Sequence, residues 1–279
     1  MDALPQRGAG VRALTGLPLP PARMPRWRAG RPLKRWRYVG VYGPELMLCA
    51  GDVRVGPMPQ RFWAIALPDG RVESRTTFGR GGVALEGSRV RVDAGEVQVD
   101  IALEEDAGVE SVHRSGARGY VWTRKQAGVA ARGEVREGDR AWTLDDARAV
   151  VDDTAGYHQR RTTWTWSAGV GRTASGAPVG WNLVTGVNDD PSGSERTVWL
   201  GGEPREVGPV EFAADLSSVE FAEGGSLRFG AWGERADSTN ALVVRSAYRQ
   251  PFGTFSGTLP GGVELAAGYG VMEWHDARW

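Results

Sequence analysis

Apolar and polar residues alternate along most of the chain. The alternation is strict in residues 88–93 and 96–101, and the Ala94–Gly95 pair between them is typical of a hairpin turn. Residues 68–70 (Pro-Asp-Gly) follow another apolar run and predict a second hairpin. No stretch shows sustained helical periodicity, although residues 144–151 can form one or two helical turns. The pattern therefore predicts an all-β protein made of antiparallel strands.

The strand candidates form two series, with a break expected between Leu144 and Val150. Roughly fourteen or more strands exceed what one small barrel holds, and a single flat sheet of that size would leave exposed edges. We therefore predict two closed or nearly closed antiparallel barrels of about 110–130 residues each. The predicted boundaries are residues 36–148 and 149–279, preceded by an arm of residues 1–35.

Tryptophan and glycine are unusually frequent, with 12 Trp and 40 Gly among 279 residues. Glycine suits the tight turns between strands. Tryptophan packs well in the cores of β-sheets, but it also lines cavities that bind apolar or cationic ligands. Composition leaves both interpretations of the Trp residues open.

Charge and cysteine content restrict the class of protein. Lys+Arg and Asp+Glu are both 34, and this balance excludes a dedicated nucleic-acid binder. The single cysteine, Cys49, cannot form an internal disulfide, lies in an apolar stretch and is interpreted as a buried, inert thiol. No apolar run is long enough to span a bilayer, and no secretory signal is recognised. We expect a soluble, cytoplasmic protein without an integral membrane segment.

The N-terminal segment differs from the rest of the chain. Residues 1–37 carry eight Arg and one Lys against a single acid, and they contain six Pro. Such a segment disfavours a regular helix or a central strand, so we expect a solvated arm partly held by Trp27 and Trp36. Residues before about Arg23 are then dispensable for folding. The alternative is that the arm contacts an anionic group such as phosphate or a lipid surface.

Several motifs together resemble a bacterial family described only as a domain of unknown function (DUF2804 type). The motifs span nearly the whole chain: residues 33–40, 122–126, 153–158, 180–184, 194–196, 251–255 and 270–276. The resemblance extends more distantly to proteins with two lipocalin domains, such as carotenoid hydratases, tocopherol cyclases and some Diels–Alder cyclases. It implies that both barrels are lipocalin-like, but it transfers no catalytic residue to a position of this chain.

Standard catalytic and cofactor signatures are missing from the sequence. It has no G-x-S-x-G elbow, no P-loop and no H-E-x-x-H motif. Three histidines are too few to assemble a histidine-rich metal site. We therefore predict neither a cofactor nor a metal.

The last predicted strand carries the strongest candidate chemistry. The two-residue period of a strand places Tyr269, Val271, Glu273 and His275 on one face. A carboxyl group inside an apolar barrel has a raised pKa and can act as a general acid. The alternative is a structural ion pair between Glu273 and an arginine. Glu273 and His275 are the first two catalytic candidates.

Further candidates lie where the second barrel begins. The loop at residues 152–161 contains His158, which is either an acid or base at a cavity mouth or part of an ordinary connection. The candidate ligand-binding residues are Trp164, Trp166, Trp181, Asn182 and Tyr269.

These observations favour a lipocalin-like protein that encloses a small hydrophobic molecule, of isoprenoid or polyketide type. A catalytic version would perform proton-initiated hydration or cyclisation, which needs an acid of raised pKa, exclusion of water and aromatic faces beside a developing cation. The alternative is a non-catalytic carrier or sensor of a hydrophobic ligand. A third possibility is an interaction module that uses the basic arm.

Overall fold

The computed structural model describes residues 4–79, 81–241 and 244–278. Strands account for about 68% of these residues and helix for about 2%, which confirms the predicted all-β class. Among the described residues, no helix is long and apolar enough to cross a membrane. The first half contains β1 (Gln6–Arg7), α1 (Val11–Thr15), β2 (Trp27–Arg28), β3 (Arg31–Pro32), β4 (Lys34–Tyr42), β5 (Met47–Val55), β6 (Met58–Ala66), β7 (Val72–Phe78), β8 (Val83–Glu86), β9 (Arg89–Ala94), β10 (Val97–Glu104), β11 (Val109–Ser115), β12 (Gly119–Glu137) and β13 (Arg140–Gly156). The second half contains β14 (Arg161–Thr173), β15 (Pro178–Thr185), β16 (Thr197–Leu200), β17 (Glu203–Glu206), β18 (Val210–Phe212), β19 (Ser218–Phe221), β20 (Ser226–Ala241), β21 (Val244–Leu259) and β22 (Val263–Arg278).

Two large antiparallel sheets share the same strand topology. The first sheet has the order β7-β6-β5-β4-β13-β12-β10-β9-β8, and the second has the order β17-β16-β15-β14-β22-β21-β20-β19-β18. In each sheet the first long strand pairs with the last strand at the centre, and the remaining strands extend outward on both sides. Both sheets curl into half-barrels, which confirms the prediction of two tandem lipocalin-like domains.

Three of the apolar cores follow from the alternation of side chains along the strands. One fills the interior of the first half-barrel and includes the residues predicted to be buried there: Val90, Val92, Val97, Val99 and Ile101. A second fills the interior of the second half-barrel. The third, here called the intersheet core, joins the outer faces of the two sheets and includes Tyr38, Tyr42, Met47, Cys49, Val150, Trp166, Ala168, Val184, Phe252 and Val271.

The chain passes from the first sheet to the second at residues 157–160, later than the predicted boundary between residues 148 and 149. Strand β13 spans Arg140–Gly156 and pairs with both β4 and β12 of the first sheet. Residues 144–151 are therefore strand, and the helical turns allowed for this segment do not form. The central position of β13 explains the difference, because two neighbouring strands satisfy its backbone hydrogen bonds.

The N-terminal arm is packed, which corrects the expectation of a solvated segment. Its anchors are the aliphatic residues Val11, Leu19 and Met24, each at most 6% exposed, whereas Trp27 is 63% exposed. These side chains join a further apolar cluster with residues of β11, β12 and β13. Strand β1 also pairs with β11, and Arg7 reaches the second sheet through a 2.8 Å hydrogen bond to Thr197. The buried apolar side chains between the prolines thus anchor the arm to the first sheet.

Candidate active site

The candidate site lies where the two sheets face each other, which corrects the expectation that Glu273 lies inside a barrel. Strand β22 contributes Glu273 and His275, and the neighbouring strand β14 contributes Trp164 and Trp166. In the β14–β22 register Trp166 lies opposite Glu273 and Trp164 lies opposite His275. The sequence predicts that Trp164 shares a face with Trp166 and that Glu273 shares a face with His275. The β14–β22 register joins the two pairs on one face of the sheet, and that face meets the first sheet.

Glu273 is the buried carboxyl of this face, at 8% exposure. The indole Nε1 of Trp164 donates a 2.8 Å hydrogen bond to its Oε1, and the amide Nε2 of Gln250 donates a 2.8 Å hydrogen bond to its Oε2. Both donors are neutral, and among the described residues no cation contacts the carboxyl. Hydrogen bonds of this kind hold either the ionised or the protonated form of a carboxyl.

Burial is the main influence on the ionisation of Glu273. It raises the pKa of this carboxyl to about 7, and the Trp164 hydrogen bond and the more distant Arg235 charge offset only part of the effect. At neutral pH the group is therefore divided between its acid and base forms, which is the condition for efficient proton transfer.

His275 lies beside this carboxyl as a neutral ring. Burial lowers its pKa to about 3. Its Nε2 is 2.7 Å from the hydroxyl of Ser246, and its ring centroid is 4.2 Å from that of Trp164 and 5.2 Å from that of Tyr248. The Trp164, Tyr248 and His275 side chains are only half-buried, so the aromatic edge of the site is accessible from outside.

The two sheets are also joined at this place by a buried cation. Arg235 of β20 is 6% exposed and donates 3.0 Å hydrogen bonds to the hydroxyls of Tyr248 and Thr76. Its guanidinium carbon lies 4.2 Å from the ring centroid of Phe62 and 4.9 Å from that of Tyr248. Thr76 and Phe62 belong to the first sheet, so Arg235 spans the interface.

Residues of the first sheet and of β21 complete the cluster. Gln250, fully buried, accepts a 3.7 Å hydrogen bond from the thiol of Cys49 and connects it to Glu273. The hydroxyls of Tyr38 and Tyr42 are 2.8 Å apart. Burial raises the pKa of Cys49 to about 11, in agreement with an inert thiol. We call Glu273 and its surroundings the Glu273 cluster; its members are Glu273, Trp164, His275, Tyr248, Gln250, Arg235, Cys49, Tyr38 and Tyr42.

Sequence reasoning missed Arg235, Tyr248 and Gln250. One signal was available, because Gln250 directly precedes the Pro251–Phe255 segment quoted for the family resemblance. Arg235 could not be distinguished from the many other arginines without knowing that the two sheets pack face to face.

The other predicted ligand-binding residues are divided between this interface and the core. Trp166 lies in the intersheet core and donates a 2.8 Å hydrogen bond to Asn182, which in turn donates to the carbonyl of Glu195. Tyr269 packs against the same core near Trp232.

Trp181 points the other way, into the interior of the second half-barrel. It is fully buried and donates a 3.0 Å hydrogen bond to Ser167. Its ring covers Gly169, where an added Cβ atom would lie 2.2 Å from the indole. The structure thus places Trp181 in the packed core and away from Glu273.

His158 lies near a different group of buried charges. Its ring stacks on Trp36 with centroids 4.9 Å apart, and burial, reinforced by the cations Lys34 and Lys125, lowers its pKa to about 3. Lys125 lies 2.6 Å from Asp152 of β13 and 3.3 Å from Glu195 in the loop between β15 and β16, so it pairs one carboxylate from each half of the molecule. The structure does not bring His158 into contact with Glu273.

A cavity of about 830 Å³ lies elsewhere, between the N-terminal arm and the mouth of the first half-barrel. Its lining includes Arg35, Arg37 and Arg124 together with Asp153. Arg37 and Arg124 both form ion pairs with Asp153, at 2.9 Å and 2.7 Å. Trp36, Trp122 and Met24 lie beside these charges, so the lining is mixed, and no residue of the Glu273 cluster borders this cavity.

The family comparison agrees with the sequence motifs. The model of a family described as "Domain of unknown function (DUF2804)" matches residues 58–279. The chain belongs to this family. A search of curated proteins found no match.

Two solved structures share the fold. An AttH-like protein from Nitrosomonas europaea is 14% identical with a TM-score of 0.53, covering 86% of this chain and 91% of its own. Kievitone hydratase from Nectria haematococca is 12% identical with a TM-score of 0.55, covering 86% of this chain and 88% of its own. CghA bound to Sch210972 is 11% identical with a lower TM-score of 0.44, covering 98% of both chains. At these identities the similarity establishes the two-domain fold alone.

Proposed function

We propose that this DUF2804 protein encloses a small, largely apolar molecule between its two sheets and transfers a proton to it from Glu273. The reaction class is hydration or cyclisation of a carbon–carbon double bond. The observation that carries the proposal is a buried carboxyl whose two hydrogen-bond donors, Trp164 and Gln250, are neutral. Such a carboxyl has a pKa near 7 and serves as a general acid at physiological pH.

The chemistry balances without a cofactor. The O–H proton of Glu273 passes to one alkene carbon, where a new C–H bond forms, and positive charge develops on the adjacent carbon. The Trp164 ring stabilises this charge. Water adds to the cationic carbon and returns a proton to the Glu273 carboxylate, or an internal double bond attacks and a later proton loss restores the acid. Both routes regenerate the enzyme.

His275 has a separate role in this proposal. Because its pKa is low, the ring stays neutral, and its Nε2, beside Ser246, accepts a hydrogen bond from the attacking water and orients it while the proton of that water returns to Glu273. The arrangement places a proton donor and a neutral hydrogen-bond acceptor for water two residues apart on one strand.

The comparisons support the reaction class only at the level of the fold. Kievitone hydratase, whose name states a hydratase activity, has the same two-domain architecture. Fold similarity raises the expectation of a hydratase-like role, and the residues of the Glu273 cluster give it a chemical basis.

The alternative function is a non-catalytic carrier of the same kind of ligand. It shares the binding site and lacks the proton transfer.

The location that we propose for either function is the cytoplasm, since the buried Cys49 is a free thiol.

One experiment separates the two functions. Native mass spectrometry of protein purified from its own host identifies any co-purified small molecule. That molecule is then incubated with wild type and with Glu273→Gln in D2O, and products are examined for added water and a non-exchangeable C–D bond. We expect deuterated product from wild type and a roughly hundredfold or greater decrease in the variant. Equal turnover by the variant would reject Glu273 as the acid, and binding without turnover in both proteins would establish the carrier.

A further inference from the structure

The side chain of Arg235 is an unusual feature of the Glu273 cluster. It is 6% exposed, and the groups within hydrogen-bond distance in the described part of the chain are two hydroxyls, those of Tyr248 and Thr76. The aromatic rings of Phe62 and Tyr248 cover the guanidinium. Buried charges in proteins are normally paired with an opposite charge, because desolvation is costly. Hydroxyls and ring faces solvate a cation but do not neutralise it.

The nearby carboxylates do not supply the missing charge. Asp152 lies 2.6 Å from Lys125, so its charge is compensated at its own position. Glu273 accepts its hydrogen bonds from Trp164 and Gln250, not from Arg235. In the acid form that proton transfer requires, Glu273 is neutral and Arg235 keeps an unbalanced positive charge.

The strand register places Arg235 close to the reacting carboxyl. Arg235 of β20 lies opposite Gln250 of β21, and Gln250 is bonded to Glu273 of the next strand, β22. Three adjacent strands separate the first and third backbones by about 10 Å. A second row of contacts runs beside it, from Arg235 through Tyr248 and His275 to Trp164. Arg235, Gln250 and Glu273 therefore lie side by side on one face of three consecutive strands.

We infer that the substrate carries an acidic oxygen, as a carboxylate, enolate or phenolate, which binds Arg235 while the carbon skeleton receives a proton from Glu273. This inference rests on the proposed function of the same site. The planar guanidinium suits such oxygens because it donates two parallel hydrogen bonds. The bound anion also disfavours ionisation of Glu273 and so keeps the acid in its reactive form.

The test uses two probes that differ in charge and share a skeleton, geranate and geraniol. Their binding is measured at pH 7 and low salt through quenching of tryptophan fluorescence. We expect wild type to bind geranate about tenfold or more tightly than geraniol, since a hydrogen bond to a charged group has this magnitude. Arg235→Met should reduce the preference to about one, and Arg235→Lys should retain part of it.

The matched control is Arg249→Met. Arg249 lies on the adjacent strand, is about half exposed and pairs with Glu234 on the surface, so its removal should leave the preference unchanged. A melting temperature for each variant shows that it is folded. Because the comparison of the two probes in wild type already tests the inference, an unfolded Arg235→Met protein does not prevent a decision.

Several results would overturn the inference. They are equal affinity of wild type for both probes, no binding of either probe, or an unchanged preference in folded Arg235→Met. The proposed function fails in a different way, through turnover that persists in Glu273→Gln. The preference for geranate should survive in Glu273→Gln, because it depends on Arg235.

Discussion

The indole of Trp164 donates a 2.8 Å hydrogen bond to Oε1 of Glu273, across the junction of β14 and β22. This bond favours the ionised carboxylate and so works against the effect of burial. A single neutral donor thereby helps to keep the pKa of Glu273 near 7 rather than higher. Trp164 therefore has two roles: its N–H donates to the carboxyl of Glu273, and its ring lies beside that carboxyl.

Replacing this donor should change the acidity of Glu273 more than the fold. In Trp164→Phe an aromatic ring remains but the indole N–H is lost, so we expect the pKa of Glu273 to rise above about 7. The measurement is carbon-13 NMR of the labelled Glu273 carboxyl during a pH titration, with Glu273→Gln used to assign the signal.

The control for this change is Trp274→Phe. Trp274 lies on β22 next to Glu273 but packs into the interior of the second half-barrel. Its replacement should leave the Glu273 titration unchanged. An unaltered pKa in Trp164→Phe would show that the hydrogen bond does not influence the acid.

The raised pKa of Glu273 also predicts how stability depends on pH. The folded protein holds this proton up to about pH 7, whereas an unfolded Glu releases it near 4.5. Between these values the folded state binds more protons, so stability falls as pH rises. The loss by pH 8 is on the order of 3 kcal/mol. Glu273→Gln removes the titrating group and with it this pH-dependent loss. Urea unfolding at pH 5 and pH 8 should therefore show that the stability of the variant, relative to wild type, is greater at pH 8 than at pH 5. A constant difference would contradict the raised pKa.

His158 should act in the opposite direction, at acidic pH. Its pKa is about 3 in the folded protein against 6.5 unfolded, so the unfolded state takes up a proton first as pH falls through this interval. Stability is therefore lost between about pH 6.5 and 3, by up to roughly 4 kcal/mol. His158→Phe preserves the stacking on Trp36 and should shift acid unfolding to lower pH. Glu273→Gln serves as the control, and an identical acid midpoint in wild type and His158→Phe would reject the prediction.

The N-terminal arm provides a test of folding. Deletion of residues 1–22 removes the buried side chains of Val11 and Leu19 and the hydrogen bond from Arg7 to Thr197. Burial of two aliphatic residues contributes about 3–5 kcal/mol, so the melting temperature should fall by about 10 °C. Deletion of residues 1–3 alone is the control. A truncated protein as stable as the full chain would restore the solvated arm expected from the sequence.

The sequence predicted what depends on local periodicity. A strand repeats every two residues, so Glu273 and His275 had to share a face, and so did Trp164 and Trp166. Local periodicity could not predict which face of β15 packs against the first sheet. Trp181 was therefore assigned to the site, although its side chain lies in the core of the second half-barrel. Arg235 follows an irregularity in the register of β20 between Ala231 and Gly233, which changes the strand's alternation. Contacts between sheets depend on packing that no local pattern records.

The clearest remaining prediction concerns Lys125, which joins the sheets through Asp152 and Glu195. Burial alone lowers the pKa of this ammonium, but the two carboxylates outweigh burial and raise it, so Lys125 stays charged. Lys125→Met leaves two buried carboxylates without their cation. Breaking a buried pair in this way costs about 3–5 kcal/mol.

The pH dependence of that loss identifies its cause. Burial already raises the pKa of Asp152, and without Lys125 the repulsion between the two carboxylates adds to that effect. The folded state of the variant therefore favours proton uptake, and its stability falls as pH increases. Lys125→Met should therefore be much less stable than wild type at pH 8 and closer to it at pH 5, by urea unfolding. Arg132→Met is the matched control on the same strand, since Arg132 pairs with Glu104 on the exposed surface and should contribute less than about 1 kcal/mol. A loss equal at both pH values would mean that Lys125 stabilises the interface by packing its methylene chain rather than by its charge.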